Sequence, residues 1–326
     1  RAKQNPERTT NMIIPANVVK ENPFYKICNK LDDIYNHFAS FKNETKSGRP
    51  KKYTDLQIIK CKLYMIMNKI YCLRELEWRL STDYLALSII GLKEVPDHST
   101  FSIRFKKIEK SKFNKLYKTI VLLLKPNVRI CSIDSTSLRS SKYDSQARSG
   151  VSTRLGKYKG YKLHVISSND CIPLSFKLTT ANVYDNTYNC CKNIIKELKN
   201  YNTFMLLGDA AYDSVKLFDL SAKLDIRLVT DVNYRNAKSI NSFKDKCRIE
   251  NAIYFNSPMG ETMYKNRLTI ERLFSILKER YNLESPRLYG FQRYKSHVIW
   301  TLFLYLIEKL VNKENGISDN KFPWNR

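Results

Sequence analysis

The feature that most constrains the fold is a change of hydrophobic period at Pro126. Upstream, Leu56, Ile59, Leu63, Ile66 and Ile70 recur at helical spacing behind Thr54, a suitable N-cap. The helical pattern runs from Thr54 to about Leu92 and includes a second helix over Leu73–Leu80. Val95-Pro-Asp-His-Ser99 is a turn, and Ser99 is placed to cap a third helix over Thr100–Glu109. Downstream, Val128–Ile133 reads as a strand ending on Asp134, and residues 135–157 as a loop. Extended segments follow at 158–167 and 171–179, joined by Ser168-Asn-Asp170. Then come a helix near 185–199, a buried strand over 203–207 before Gly208-Asp209, a helix near 212–224, a strand over 226–230 and a long helix near 264–281. A three-strand meander followed by alternating helix and strand predicts an α/β domain with a mixed sheet.

The chain of 326 residues is therefore expected to divide into a basic N-terminal arm or linker (1–52), an all-helical region (53–125), the α/β domain (126–312) and a C-terminal tail (313–326). Its formal net charge is +26. The excess is distributed: residues 1–125 carry 25 basic and 12 acidic side chains, the remainder 32 and 19. A foldable composition with charge of this size favours a polyanionic partner. Arg104, Lys106 and Lys107 on the third helix suit either a helix-turn-helix reader or a basic solvated helix. Arg148, Arg154, Lys157, Lys159 and Lys162 lie in a stretch without acid, which suits either a track along a DNA backbone or a flexible basic loop. His164, two residues beyond Lys162, suits a place near a scissile phosphate or a satisfied structural role. Trp78 and Trp300 fall in apolar helical stretches and are expected in the core.

Eight cysteines without a C-x-x-C pair suit reduced, buried thiols rather than disulfides or zinc. The longest apolar run, Val298–Ile307, is too short to cross a bilayer, and no membrane association is expected. No signal-peptide pattern is read at the start of the chain, which is Arg1 rather than Met.

The chemistry concentrates in Tyr264-x2-Arg267-x3-Glu271-x6-Lys278. On a continuous helix these four positions form one stripe, beside an apolar sector of Ile270, Leu273, Phe274, Leu277 and Tyr281. A carboxylate flanked by two cations and a phenol suits metal and phosphate. Asp134 and Asp209, each following a buried strand, could converge with it, although an Asp in that position also serves as a cap or turn residue. Hard divalent cations prefer such oxygen donors, and two ions can activate a nucleophile and stabilise a leaving oxygen.

The order Asp134, Asp209, Glu271 with the Y-x2-R-x3-E-x6-K spacing resembles the DDE transposases of bacterial and archaeal insertion sequences. Ser132-Ile-Asp-Ser-Thr136, Lys159-Gly-Tyr-Lys-Leu-His164, Gly208-Asp-Ala-Ala-Tyr212 and Val95-Pro-Asp-His-Ser-Thr100 support the likeness, which covers about residues 50–310. The resemblance implies an RNase H-like catalytic core that holds two Mg²⁺ ions, with Mn²⁺ as a substitute, and cuts and joins transposon ends. Asp134, Asp209 and Glu271 would be the catalytic metal ligands, while Tyr264, Arg267 and Lys278 hold phosphates. The implied partners are double-stranded DNA, both terminal inverted repeats and target, and a second copy of the chain. In a prokaryote the implied location is cytoplasmic, at the nucleoid. Two alternatives stay open: a structure-selective nuclease on the same core, and a domesticated DNA-binding protein. Some relatives carry a β-rich insertion between the second Asp and the Glu. Here those residues are 62 positions apart, and 231–263 reads as a short irregular segment.

Overall fold

The computed structural model describes residues 16–38, 51–234 and 239–317, so much of the expected arm (1–15 and 39–50) and the end of the expected tail (318–326) lie outside the described residues. The chain divides into two compact units.

One unit comprises residues up to 64, 72–108 and 311 onward. It contains α1 (Ala16–Glu21), α2 (Pro23–His37), most of α3 (Asp55–Met67), α4 (Leu73–Thr82), α5 (Tyr84–Ile90) and most of α6 (His98–Ser111). Residues 16–37 are thus helical, where an arm or linker is expected. In α2, Phe24, Ile27, Cys28, Leu31, Ile34 and Tyr35 make a buried stripe at helical spacing. Asn22 starts it by accepting from the Phe24 N–H at 2.8 Å, with Pro23 in the first turn. Thr54 and Gln57 cap α3 reciprocally, Gln57 N–H to Thr54 Oγ1 at 3.1 Å and Thr54 N–H to Gln57 Oε1 at 2.9 Å. The cap of α6 is Asp97 rather than Ser99: its Oδ1 accepts from the Ser99 and Thr100 N–H groups at 2.8 and 2.9 Å. Trp78 is 65% exposed on α4, contrary to its expected place in the core.

The other unit comprises 65–71 and 109–310, so α7 (Phe113–Leu124) belongs with the sheet rather than with the helical region expected to run to 125. Its strands are β1 (Ile130–Arg139), β2 (Arg148–Ser152), β3 (Gly156–Ser168), β4 (Pro173–Thr180), β5 (Met205–Gly208) and β6 (Arg227–Thr230). The sheet order is β2-β3-β1-β5-β6, with β4 also on β3. β1, β3 and β4 are antiparallel, whereas β1, β5 and β6 run parallel. This mixed α/β sheet is the architecture expected of an RNase H-like core.

Two departures bear on the site. β1 continues five residues past Asp134 and β2 adds a hairpin partner to β3, where a loop over 135–157 is expected. The segment between β6 and residue 264 holds α10 (Lys246–Phe255) and α11 (Pro258–Tyr264), not irregular chain.

α8 (Tyr188–Lys196) packs on β3 and β4, α9 (Val215–Ala222) on β6, and α12 (Leu268–Tyr281) on β1 and β3. α13 (Phe291–Glu314) carries the long apolar run and buries Trp300 fully, its indole N–H reaching Glu109 at 2.8 Å. No described helix is long and apolar enough to cross a membrane. All eight cysteines are free; six are buried, Cys72 is exposed and Cys247 intermediate.

Candidate active site

Parallel pairing of β1 with β5 stops at Ser132 opposite Leu207. Beyond it the two chains diverge, and each delivers an aspartate at the opening: Asp134 two residues past the last pair on β1, Asp209 directly after β5. The carboxyl ends of adjacent parallel strands are where open α/β sheets place their ligand crevices. Gly208 lets the strands approach there, since a Cβ would stand 3.0 Å from Tyr212 Cβ and 3.2 Å from Ile133 Cγ2.

The two aspartates feel each other. Burial raises the Asp134 pKa to about 7, and repulsion from Asp209 adds to it; the Ser135 N–H and Arg267 oppose the shift. Burial also raises Asp209, against the Ala211 N–H that its Oδ1 accepts at 3.0 Å. Asp209 is thus both a cap and a member of the pair.

The third carboxylate arrives through a broken helix. Tyr264 ends α11, a tight turn occupies Lys265–Arg267, and α12 starts at Leu268, so the expected single helix over 264–281 is interrupted inside the four-residue signature. Tyr264 still adjoins Arg267 across the turn, with the guanidinium carbon 5.8 Å from its ring centroid. Its hydroxyl donates to the Gly208 carbonyl at 3.2 Å and its ring packs on Phe255 at 4.8 Å, which ties α11 to the end of β5. Arg267 stands between the acids: Nη1 lies 3.5 Å from Asp134 Oδ2, and Nη2 donates to Glu271 Oε1. Lys278, about two turns further along α12 on the same face as Glu271, is half-buried and its pKa is lowered, by burial first and then by Arg154.

Among the described residues no three His, Cys, Asp or Glu side chains stand close enough to share an ion. Arg267 holds Glu271 and faces Asp134, so a positive charge stands between these two acids. The donor set nevertheless suits a hard divalent cation. All three are carboxylates, and two are partly buried acids whose mutual repulsion a cation would relieve.

Of the expected DNA-contacting cations, Arg148 and Lys157 are exposed on β2 and β3, as are Lys106 and Lys107 on α6. Arg154 is exposed and pairs with Glu284, and Lys159 donates to the Lys142 carbonyl at 2.7 Å. Two face inward instead. Lys162 is 8% exposed, its ammonium 3.1 Å from Asp185 Oδ1. Arg104 ties α6 to α3, with Nη2 2.6 Å from Asp55 Oδ1 and Nη1 3.0 Å from the Tyr53 carbonyl. A shielded cation is held where a carboxylate awaits it, and both are paired within the fold. His164 is fully buried, its Nε2 2.9 Å from Thr179 Oγ1; burial pushes its pKa down to about 4, leaving a neutral structural ring.

Sequence spacing missed Asp185, whose charge acts on both Asp134 and Asp209. It sits two residues before the N-cap of α8 in Tyr184-Asp-Asn-Thr187, a context that reads as a helix start.

The Transposase DDE domain family matches residues 126–307, and the family described as Transposase domain (DUF772) matches residues 14–107. Among solved structures, one similar chain is the piggyBac transposase in a synaptic complex with hairpin DNA, at 11% identity over 95% of this chain and 78% of that one, with a TM-score of 0.42. Another is the Mos1 mariner paired end complex with Mn, at 11% identity over 83% and 90% of the two chains, with a TM-score of 0.23. No curated protein matches significantly. The DDE family match spans more than half of the sequence and encloses all three carboxylates, so this chain belongs to the transposase DDE domain family.

Proposed function

We propose that the chain is a DNA transposase that cleaves at the ends of its element and joins the freed 3′-hydroxyl to target DNA by metal-dependent phosphoryl transfer. The observation that carries this is the delivery of Asp134 and Asp209 by adjacent parallel strands just past the end of their pairing, with Glu271 one guanidinium from Asp134. Asp134, Asp209 and Glu271 would hold divalent ions, Mg²⁺ or Mn²⁺ and two in number. Bound there, the ions would supply the Lewis acidity that activates the attacking water or 3′-hydroxyl and stabilises the leaving oxygen.

The surrounding residues have separate tasks. Arg267 must turn away from Glu271 before that carboxylate can serve as a ligand, and its fork is then free for a phosphate. Lys278, with no ion-pair partner among the described residues, offers a second cation to the same backbone. Tyr264 fixes the end of β5 through its hydroxyl, which donates to the Gly208 carbonyl. Arg148, Arg154, Lys157 and Lys159 form the backbone track, and a homodimer would hold two ends together.

The test uses duplex DNA carrying the ends of the encoding element. Asp134→Ala, Asp209→Ala and Glu271→Gln should each abolish cleavage and joining while leaving duplex binding intact. Unchanged DNA processing in these variants would defeat the assignment. Cleavage without transfer of the 3′-end would indicate a nuclease on the same core.

A further inference from the structure

Asp185 lies on the loop between β4 and α8, tied down from three directions. Ser135 Oγ donates to its Oδ1, Lys162 Nζ stands 3.1 Å from that oxygen, and its backbone carbonyl accepts from the Cys191 thiol at 3.0 Å. Neighbours alternate along a strand, so Ser135 and Asp134 face opposite sides of β1. Asp134 meets Arg267 ahead of α12; Ser135 meets Asp185 ahead of α8. Asp185 therefore stands behind Asp134, across the strand.

Little screens it there. The Asp185 side chain is 29% exposed and that of Lys162 10%, and salt and water weaken charges in such positions far less than on the surface. The field of Asp185 reaches Asp134, Asp209 and the Tyr212 phenol, which is buried with no hydrogen-bond partner among the described residues. His164, opposite Ser135, is neutral and supplies no counter-charge. Lys162 and Arg267 are the cations that face this group directly.

We propose that Asp185 is a positioning residue of the carboxylate site: through Ser135 it fixes β1 at Asp134, and against Lys162 it sets how strongly the Asp134–Asp209 pair attracts a divalent cation. This rests on the proposed metal-binding role of that pair. Two roles for the ion pair separate cleanly. As a mere tie between β3 and the loop, loss of either partner would lower stability and leave cation binding by the folded protein unchanged. As a setter of the local field, the two single changes must act in opposite directions. Asp185→Asn leaves Lys162 positive behind Asp134 and weakens the site. Lys162→Met leaves Asp185 negative and strengthens it. The double variant returns close to the starting point.

The experiment measures Mn²⁺ binding to the full chain without DNA, from the paramagnetic resonance of free Mn²⁺, alongside thermal unfolding. Asp185→Asn should bind about tenfold more weakly, the lower end of the loss from removing a group behind metal ligands. Lys162→Met should bind more tightly by several-fold, and the double variant should fall near wild type. Equal affinities, or single variants that move in the same direction, would overturn the inference. Should Asp185→Asn not fold, Lys162→Met still decides: unchanged or weaker binding overturns it. Wild-type binding abolished by Asp134→Asn with Asp209→Asn, yet indifferent to Asp185 and Lys162, would sink this inference alone. Wild-type protein that binds no Mn²⁺ would sink the metal-binding role and the inference with it.

Discussion

Replacing Asp134 by Asn should make the metal-free protein more stable, and the gain should grow with pH. Asp134 has a pKa of about 7 in the folded chain, against 3.8 for a free carboxyl. Between these values the folded state holds a proton that the unfolded state has released. Wild-type stability from this group therefore falls as pH rises from about 4 to about 7, then levels off. The displacement of about three pH units corresponds to at most about 4 kcal/mol. The side chain is 18% exposed and Arg267 lies 3.5 Å away, so relaxation and water should leave roughly 2 kcal/mol. For a unit of this size that raises Tm by about 4–8 °C. The assay is thermal unfolding in chelator, comparing wild type with Asp134→Asn at about pH 8 and about pH 4, on either side of the two pKa values. The gain should be full at the higher pH and nearly absent at the lower. Mn²⁺ at the higher pH should stabilise wild type but not the variant. No gain at high pH, or one independent of pH, would show that Asp134 is not a strained carboxylate.

Asp213 is 2% exposed in its side chain and binds Arg248 through Nε at 2.8 Å and Nη2 at 2.7 Å, so Asp213→Ala should cost about 3–5 kcal/mol in denaturant unfolding. Lys246→Ala, which breaks an exposed 3.8 Å pair with Glu250, should stay within about 0.5 kcal/mol; similar losses would refute the distinction. Lys157→Ala should reduce the salt slope of duplex binding by about 1, whereas Arg104→Ala should leave it unchanged and cost about 2 kcal/mol of stability. Gly208→Ala pushes a Cβ to 3.0 Å from Tyr212 and should slow DNA cleavage about tenfold or more by displacing Asp209, with Tm reduced only modestly; undiminished cleavage would show that the β5 end tolerates movement.

The sequence by itself determined five of the six strands, β1 and β3 to β6, because local hydrophobic period reports strand and helix directly; β2 lies where a loop is expected. It also singled out Asp134, Asp209 and Glu271 as candidates, which the fold places within β1, directly after β5 and on the first turn of α12. The capping pair Thr54–Gln57 was equally local. The stripe of α2 was just as legible in principle; polar and basic surroundings disguised it. Only the tertiary structure decided what each charged side chain faces. Lys162 and Arg104 look like DNA contacts until the fold brings Asp185 and Asp55 against them. Arg267 looks like a free cation until the turn before α12 lays it between Asp134 and Glu271. The physical reason is the same in each case. Burial in a helix or strand follows from neighbours in sequence, but a charge is satisfied by whatever carboxylate lies within a few ångströms, from any distance along the chain.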